Sequence, residues 1–286
     1  MAEYVDLHCH SRASDGTLTP RELADLARRS GLAGFALTDH DTAAGLEEAA
    51  DAARELGMDF VTGIEISCVH PAPGTMHLLG YCVDPKSKTL AELSQHLIDA
   101  RNNRNPRIIE RLRELGVSIT MQEVEQEAGG QVLGRPHIAA ILARKGYVSS
   151  IQQAFDKYLG QGGLAYFDKE RLTRREAMDL VLGAGGIAVL AHPIQLKTEN
   201  DGQLDRIVKD MMDMGLQGIE VMHSDHTADL VEKYTRLADR YGLLKTGGSD
   251  FHGSNKCEVK LGWACGKRVP RQFMDELLER HKAWQT

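Results

Sequence analysis

The alternation of strand and helix patterns along the chain is the feature that most constrains its fold. Short apolar segments with strand character, such as Tyr4–His8, Gly34–Thr38 and Ile187–Ala191, alternate with segments of helical periodicity, such as Pro20–Ser30. Repeated strand–helix units predict an α/β fold with a mostly parallel sheet, open or closed into a barrel. The chain has 286 residues, which suits a single barrel, since such folds take about 250 residues.

The remaining elements continue this pattern and frame an insertion. Strands are predicted over Phe60–Ile66, Met76–Val83, Gly218–Met222 and Leu244–Gly248, and helices over Thr42–Leu56, Arg174–Gly183, Asp201–Met214, Ala228–Tyr241 and Arg271–Trp284. Between residues 90 and 160 only helical periodicity is found, so we predict a helical cap subdomain at 90–160, inserted in a barrel made of 1–89 and 161–286. Residues 101–145 carry eight Lys or Arg and five Asp or Glu, so the insertion is positive within an acidic chain.

Bulk composition argues against several classes of protein. The net charge of −7 disfavours a stable nucleic-acid partner, which would require a basic surface, but bound metals would still allow a small anionic ligand. The five cysteines are odd in number and include no C-x-x-C pair, which disfavours a disulfide framework and a cysteine zinc site. No apolar run reaches the ~18–20 residues of a membrane span and no secretory leader is found, so we expect a cytoplasmic protein with no membrane contact.

Histidines and acids recur at the predicted strand ends. His8 and His10 stand two apart on a strand, so both side chains point to one side and can reach one ion; two unrelated surface histidines are the alternative for this pair alone. Glu65 lies amid apolar residues, where a carboxylate is costly unless it is paired or bound to metal. His77 has the alternative interpretation of a core histidine bonded to a backbone carbonyl. The candidate metal ligands are His8, His10, Asp15, His40, Glu65, His77, His192, Asp250 and His252.

The number and type of these side chains indicate the metal content. One ion takes three or four protein ligands, so nine candidates predict two or three divalent ions that share a bridging carboxylate. Nitrogen and oxygen ligands without thiolate favour Mn²⁺, Zn²⁺ or Fe²⁺ over Ca²⁺ or Cu⁺. Mn²⁺ is our first expectation, with Zn²⁺ or Fe²⁺ as alternatives.

Other polar residues near these positions receive different interpretations. Asp39 is expected to hydrogen-bond His40 and orient it. His70, His96 and His281 are expected on the solvated surface. A last group follows another strand, so its members can line the pocket, but they are not assigned as ligands: Glu220, His223 and His226.

Seven motifs in this order are specific in combination: DLHCH (6–10), TDHD (38–41), GIEIS (63–67), MHLLGY (76–81), AHP (191–193), GIEV (218–221) and GGSDFHG (247–253). On these motifs the chain resembles the PHP (polymerase and histidinol phosphatase) family over nearly its whole length. Within that family, the helical insertion and the segment Gly134-Arg135-Pro136-His137 resemble bacterial phosphoesterases that act on 3′,5′-nucleoside bisphosphates. The resemblance implies a distorted (βα)₇, TIM-like barrel with a helical insertion and up to three ions at its C-terminal face.

The resemblance also implies roles for the ligands. They would divide among three ions as the sets His8, His10, Glu65 and Asp250; Glu65, His77 and His192; and Asp15, His40 and His252. The implied reaction is hydrolysis of a phosphomonoester by metal-activated hydroxide, which divalent ions make available near neutral pH. The catalytic residues would be Asp15, His40, Glu65 and Asp250. Asp15, His40 or a metal-bound water are candidates for protonating the leaving group.

The cap is expected to select the substrate. Arginine matches a phosphate with a planar fork of donors, so Arg104 and Arg135 are predicted to bind a second phosphate away from the metals; a solvated helix face is the alternative. A substrate such as adenosine 3′,5′-bisphosphate would then lose its 3′-phosphate and leave AMP. The residues predicted to assist are Asn102, Asn103, Asn105 and His137.

Other functions remain open. A 5′-3′ exonuclease on short oligonucleotides would use the same metals with stacking aromatics, but aromatic content is only 5%. A histidinol-phosphate phosphatase would require acidic residues in the cap, because its substrate carries a cationic amine. An amidohydrolase is a more distant alternative, and a noncatalytic metal-binding module would not need so many ligands. The sequence does not predict the oligomeric state.

Overall fold

The computed structural model describes residues 3–129, 133–168 and 171–284. Its strands belong to one sheet. They are β1 (Tyr4–Asp6), β2 (Gly34–Leu37), β3 (Asp59–Cys68), β4 (Met76–Tyr81), β5 (Ile187–Leu190), β6 (Gly218–Met222), β7 (Leu244–Gly247), β8 (Trp263–Ala264) and β9 (Lys267–Pro270). The first seven agree with the predicted strands within a few residues at each end.

The helices cover the outside of this sheet or build the insertion. The barrel helices are α1 (Pro20–Arg29), α2 (Leu46–Glu55), α7 (Arg174–Gly183), α8 (Asp201–Met212), α9 (Ala228–Tyr241) and α10 (Gln272–Trp284). The insertion contains α3 (Lys88–Glu114), α4 (Met121–Ala128), α5 (Arg135–Arg144) and α6 (Ile151–Ala154), which continues as a wider turn over Phe155–Leu159. None of the helices within the described ranges is long and apolar enough to cross a membrane.

The seven barrel strands are mostly parallel, as predicted, and β4 is the exception. The strand order is β7-β6-β5-β4-β3-β2-β1-β9-β8. The pairs β1–β2, β2–β3, β5–β6 and β6–β7 are parallel, whereas β4 is antiparallel to both β3 and β5. The reason is the short connection at 69–75, because a parallel return requires a crossover of a dozen or more residues.

The sheet closes on itself between the first and seventh strands. The N–H of Leu7 donates to the carbonyl of Gly247 at 3.1 Å, and the N–H of Asp250 donates to the carbonyl of His8 at 2.8 Å. The N–H of His10 continues this ladder to the carbonyl of Phe251 at 2.9 Å. Strands β1 to β7 therefore form a distorted seven-stranded barrel, as expected from the family resemblance.

A hairpin that the sequence does not predict extends the sheet beyond β1. Strand β9 is antiparallel to β1, and β8 is antiparallel to β9. With two residues in β8 and four in β9, these strands are too short to show the alternation that identifies a strand.

Asp6 ties this region together. Its buried carboxylate accepts hydrogen bonds from Ser249 Oγ at 2.5 Å and from the backbone N–H of Gly262 at 2.6 Å. It also accepts from the N–H of Ser249 at 3.0 Å and from that of His8 at 3.1 Å. One carboxylate thus joins the end of β1, the loop after β7 and the segment before β8.

Two separate hydrophobic clusters support the barrel and the insertion. The barrel cluster fills the space between the sheet and its surrounding helices and includes Leu90, near the start of α3. The second cluster lies mostly within the insertion and runs from Ile108 to Ala165, just past its predicted end. Helix α3 contributes to both clusters, so the clusters do not mark a boundary at residue 90. The predicted division of the chain at residues 90 and 160 stays a prediction.

Candidate metal centre and substrate cavity

Strand β3 and the segments that directly follow β1 and β7 bring four ionisable side chains together. Nε2 of His10 lies 3.2 Å from Oε2 of Glu65 and 3.1 Å from Oδ1 of Asp250. Nε2 of His8 lies 3.3 Å and 3.4 Å from the same two oxygens. One atom from each of these residues falls within 4.8 Å of the others, a spacing that suits a metal ion. This is the set predicted to hold the first ion.

Glu65 occupies the middle of a larger cluster. Its Oε1 lies 2.8 Å from Nδ1 of His77 and 2.8 Å from Nε2 of His192, while its Oε2 faces His8 and His10. Nδ1 of His40 lies 3.0 Å from Oε2 as well. The two oxygens therefore face different groups of histidines, which is the arrangement that a carboxylate bridging two ions requires.

The remaining predicted ligands form the outer part of the same cluster. Asp15 Oδ1 lies 3.2 Å from Nε2 of His252 and 3.9 Å from Nδ1 of His10, and its Oδ2 lies 4.0 Å from Nε2 of His40. These four residues also meet the spacing for an ion. The structure thus brings all nine predicted ligands together, with His40 and His10 placed between neighbouring sets.

Unsatisfied buried atoms show that this donor set fits divalent ions. Oε2 of Glu65, Nε2 of His8, Nδ1 of His192 and both ring nitrogens of His10 are buried without a hydrogen bond in the described part of the chain. Leaving such groups unpaired costs about 1–3 kcal/mol each, and coordination to a cation would satisfy them. Cys9 takes no part, because its thiol points away and donates to the carbonyl of Ala36 at 2.9 Å.

The charge states suit metal binding as well. Burial alone would raise the pKa of Glu65, but His40, His77 and His8 lower it well below its usual range. Burial lowers the pKa of His77 to about 4, despite the attraction of Glu65. A carboxylate that is ionised and an imidazole that is neutral are the forms that bind metals.

His8 differs in its charge state. Burial would lower the pKa of His8, but Glu220, Glu65 and Asp250 raise it well above its usual range. Metal binding at His8 would therefore release a proton, so metal affinity should rise with pH.

Glu220 orients the histidines, a role that the sequence does not assign to it. Its Oε1 accepts from Nδ1 of His8 at 2.9 Å, and its Oε2 accepts the backbone N–H of His192 at 2.8 Å. Such a carboxylate fixes the tautomer of a metal-binding histidine and leaves Nε2 free for the ion. Its neighbour His223 is also buried at the cluster, whereas Nδ1 of His226 bonds to the carbonyl of Val221. The sequence signal was the Gly-Ile-Glu segment that occurs in two strands, at 63–65 in β3 and at 218–220 in β6.

Asp39 holds a loop, and its predicted role in orienting His40 stays a prediction. It accepts from the N–H and Oγ of Ser11 at 2.7 and 2.6 Å, and from Oγ of Ser14 at 2.6 Å. Asp39 thereby fixes the segment that carries Asp15 into the cluster.

The loop after β7 depends on close backbone approach and on strain. A Cβ atom at Gly248 would lie 2.3 Å from the backbone nitrogen of His8, so only glycine allows this contact. Asp250 in this loop has a φ of 57°, and His192, which follows β5, has a φ of 21°. For residues other than glycine these angles cost about 1–3 kcal/mol, and such strain is concentrated at functional sites.

One cavity of about 310 Å³ joins the metal cluster to the insertion. Its barrel side includes Asp15, His40 and His77, and its cap side includes Arg104 and Arg135. The volume lies at the small end of the ~300–1,000 Å³ range of ligand pockets. Additional lining residues that the sequence did not assign to the site include His70, Phe155, Gln161 and Arg171. His70 was expected on the surface, but it is half-buried and bonds to the carbonyl of Leu196 at 3.0 Å.

The predicted substrate residues divide into two groups. Arg104 is buried, with Nη2 donating to Oδ1 of Asn105 at 3.0 Å, and Asn105 in turn donates to the carbonyl of Leu133 at 2.9 Å. Asn105 therefore positions Arg104. Asn102 and Asn103 are exposed on α3 and do not line the cavity.

Arg135 and His137 both lie at the start of α5. Nη1 of Arg135 donates to the carbonyl of Leu159 at 3.0 Å, and its guanidinium lies 5.5 Å from the ring centre of Tyr166. Burial lowers the pKa of Arg135, which an anionic ligand would offset. Nδ1 of His137 accepts the N–H of Gly134 at 3.0 Å and caps the helix.

Comparison with known proteins identifies the family. A family model described as the PHP domain matches residues 6–243. This chain belongs to the PHP family.

Three relatives of this PHP protein carry names of different reactions. A 3′,5′-nucleoside bisphosphate phosphatase of Chromobacterium violaceum is 36% identical, over 87% of this chain and 87% of that protein. A 5′-3′ exoribonuclease of Haemophilus influenzae is 36% identical, over 88% and 91% of the two chains. A phosphoribosyl 1,2-cyclic phosphate 1,2-diphosphodiesterase of Eggerthella lenta is 35% identical, over 87% and 94%.

Two solved structures share the fold of this PHP protein over almost the whole chain. One, from Bifidobacterium adolescentis and assigned as a metal-dependent phosphoesterase, has a TM-score of 0.86 at 34% identity and covers 98% of this chain and 97% of its own. The other, from Chromobacterium violaceum, is named an amidohydrolase with bound sulfate and no metal; it has a TM-score of 0.86 at 33% identity and covers 97% and 96%. With the residue cluster above, the comparisons make this chain a metal-dependent phosphoesterase of the PHP family.

Proposed function

We propose that this PHP enzyme removes the 3′-phosphate from nucleoside 3′,5′-bisphosphates, with adenosine 3′,5′-bisphosphate giving AMP and phosphate. The observation that carries this proposal is the single cavity that contains both an edge of the metal cluster and Arg104 and Arg135. A substrate with two phosphates would place one at each end. The relative named as a bisphosphate phosphatase supports the same assignment.

The metal end performs the chemistry in this proposal. The nine candidate ligands would hold two or three divalent ions, which supply Lewis acidity and lower the pKa of coordinated water to ~7. Nitrogen and oxygen donors without thiolate support Mn²⁺, with Zn²⁺ or Fe²⁺ as alternatives. Glu65 holds two groups of histidines at fixed separation, Glu220 keeps Nε2 of His8 directed into the cluster, and Asp39 holds the loop of Asp15.

The arginine end provides selectivity. Arg135 donates to the carbonyl of Leu159 and also contacts Tyr166. A guanidinium has five N–H donors, so others remain for a phosphate. Arg104 is held by Asn105 at the same cavity. A charge-assisted hydrogen bond contributes about 1.5–3 kcal/mol, which corresponds to about 10–150-fold in kcat/KM.

The test compares substrates with and without the 5′-phosphate. Wild-type enzyme loaded with Mn²⁺ should hydrolyse adenosine 3′,5′-bisphosphate with a higher kcat/KM than adenosine 3′-monophosphate. Arg135→Met should lower kcat/KM for the bisphosphate about 10–150-fold and leave the monophosphate rate nearly unchanged, which also shows that the variant is folded. Arg113→Met, at an exposed position of α3, is the matched control. Equal rates on the two substrates in the wild type would overturn the second phosphate site.

A second candidate is 5′-3′ exonuclease activity, because a relative of that name is equally similar at 36% identity. Phe155 lines the cavity and aromatic rings provide stacking surfaces for bases. A 5′-phosphorylated RNA tetranucleotide, histidinol phosphate and a dipeptide belong in the same assay. Faster turnover of the RNA would favour the exonuclease, turnover of histidinol phosphate alone would favour that phosphatase, and cleavage of the dipeptide would support the amidohydrolase alternative.

A further inference from the structure

The two carboxylate oxygens of Asp250 face different surroundings. Oδ1 points into the cluster, 3.1 Å from Nε2 of His10 and 3.4 Å from Nε2 of His8. Oδ2 points to the other side, 2.5 Å from Nζ of Lys256 and 3.4 Å from Nε2 of His223. The backbone of Asp250 is fixed by its N–H, which donates to the carbonyl of His8 at 2.8 Å. The carboxylate is therefore divided between the candidate ligands and two nitrogen donors.

The hydrogen bond that Nδ1 of His223 accepts decides which ring nitrogen carries the proton. Nδ1 of His223 accepts the backbone N–H of Asp225 at 3.1 Å, while the carboxylate of Asp225 lies further away, at 3.8 Å. A nitrogen that accepts a hydrogen bond carries no proton, so in the neutral ring the proton is on Nε2. Nε2 of His223 is thus an N–H donor directed towards Oδ2 of Asp250.

This tautomer decides between two roles for His223. Atoms of His8, Glu220 and His223 lie within 4.8 Å of one another, a spacing that would suit a metal ion. A metal at Nε2 of His223 would require the proton to move to Nδ1, where it would meet the N–H of Asp225. Nδ1 of His8 and Oε1 of Glu220 already bond to each other at 2.9 Å. The arrangement therefore favours a donor over a ligand.

We propose that His223 is a positioning residue that holds Oδ2 of Asp250, beside Lys256, so that Asp250 offers Oδ1 alone to the ions. Nε2 of His223 is fully buried and makes no hydrogen bond in the described structure, and 3.4 Å to Oδ2 is just beyond the usual 2.7–3.2 Å. Contacts of this kind tighten when a catalytic site is loaded. The proposal rests on the ligand role assigned to Asp250 and extends it by specifying which oxygen binds.

The test is a titration of the full-length apo-protein with Mn²⁺ by calorimetry, without substrate. His223→Leu removes the donor, and His223→Gln keeps an N–H group at similar reach. His226→Gln is the matched control, since this buried histidine of the same loop bonds to the carbonyl of Val221. Unfolding midpoints of the apo-proteins show whether each variant is folded.

The expected result is that His223→Leu binds the same number of ions as the wild type but about 10–100-fold more weakly, as for other groups that orient a metal ligand. His223→Gln should recover most of the affinity, and His226→Gln should bind like the wild type. Loss of one whole ion in His223→Leu without recovery in His223→Gln would show that His223 is itself a ligand and overturn the proposal. Wild-type affinity in His223→Leu would also overturn it.

Asp250→Asn in the same titration separates this proposal from the assignment beneath it. If that variant retains wild-type affinity, the ligand role of Asp250 fails, independently of His223. Because no substrate is present, the result does not depend on which phosphoester the enzyme hydrolyses.

Discussion

Replacing Glu220 with glutamine should weaken metal binding although Glu220 is not a predicted ligand. The two oxygens of this buried carboxylate accept from Nδ1 of His8 at 2.9 Å and from the N–H of His192 at 2.8 Å. Glutamine has one oxygen and one NH₂ group. The N–H of either His8 or His192 must therefore face this NH₂ group, which cannot accept its hydrogen bond. If His8 loses the acceptor, its proton can move to Nε2, the atom that lies 3.3 Å from Glu65 and is needed for the ion.

The size of the effect follows from the lost contact. A buried donor left unpaired costs about 1–3 kcal/mol, which is about 5–150-fold in an equilibrium constant. Partners that orient a metal ligand typically contribute 10–100-fold to metal affinity, so we expect the Kd for Mn²⁺ to rise by about that factor. Competition with a fluorescent chelator measures it, with Glu176→Gln, an exposed capping residue of α7, as the matched control. Wild-type affinity in Glu220→Gln would refute the argument.

Three further outcomes are expected. Asp6→Asn should lower the free energy of unfolding in urea by about 1–3 kcal/mol, since the new NH₂ group faces the N–H of Gly262; an unchanged midpoint would contradict this. Mn²⁺ at 100 times its Kd should raise the apparent stability by about 2.7 kcal/mol per independent site, and EDTA should reverse the gain in a thermal melt; equal melting temperatures would argue against binding to the native state. Alkylation of the native protein at pH 8 should modify the exposed Cys257 and spare Cys82, because burial raises the pKa of the Cys82 thiol to about 12; a mass spectrum with both residues labelled would contradict that.

The metal ligands could be predicted because strand periodicity and strand ends fix their positions. His8 and His10 stand two apart directly after β1, where the backbone continues to pair with the segment after β7. The alternation of a strand therefore places both on one side. Glu65 is conspicuous as an acid within an apolar strand. The structure gathers these residues with the other predicted ligands in one cluster, and their assignment as metal ligands stays a prediction.

Parts of the fold depend on contacts that periodicity does not reveal. The reversal of β4 follows from the short turn before it, and the β8–β9 hairpin is held by pairing with β1. On α3, Ile108 and Leu112 are buried, and residues four apart share a helix face. Arg104 is four residues before Ile108, so it lies on the same buried face of the helix. Asn102 and Asn103 lie on the exposed side.

The orienting groups were hidden for a different reason. Glu220 reaches His8 across 212 residues of sequence, and the role of His223 depends on which of its nitrogens meets Asp225. Such pairings are set by the closed barrel, so a single sequence places these residues near the pocket without assigning their partners.

The most direct test of the metal centre is anomalous X-ray diffraction from crystals of the Mn²⁺-loaded protein. We predict two or three anomalous peaks at the C-terminal end of the barrel, with Glu65 between two of them and Oδ1 of Asp250 beside one. Peaks absent from this cluster, or a single ion that does not contact Glu65, would contradict the proposed site.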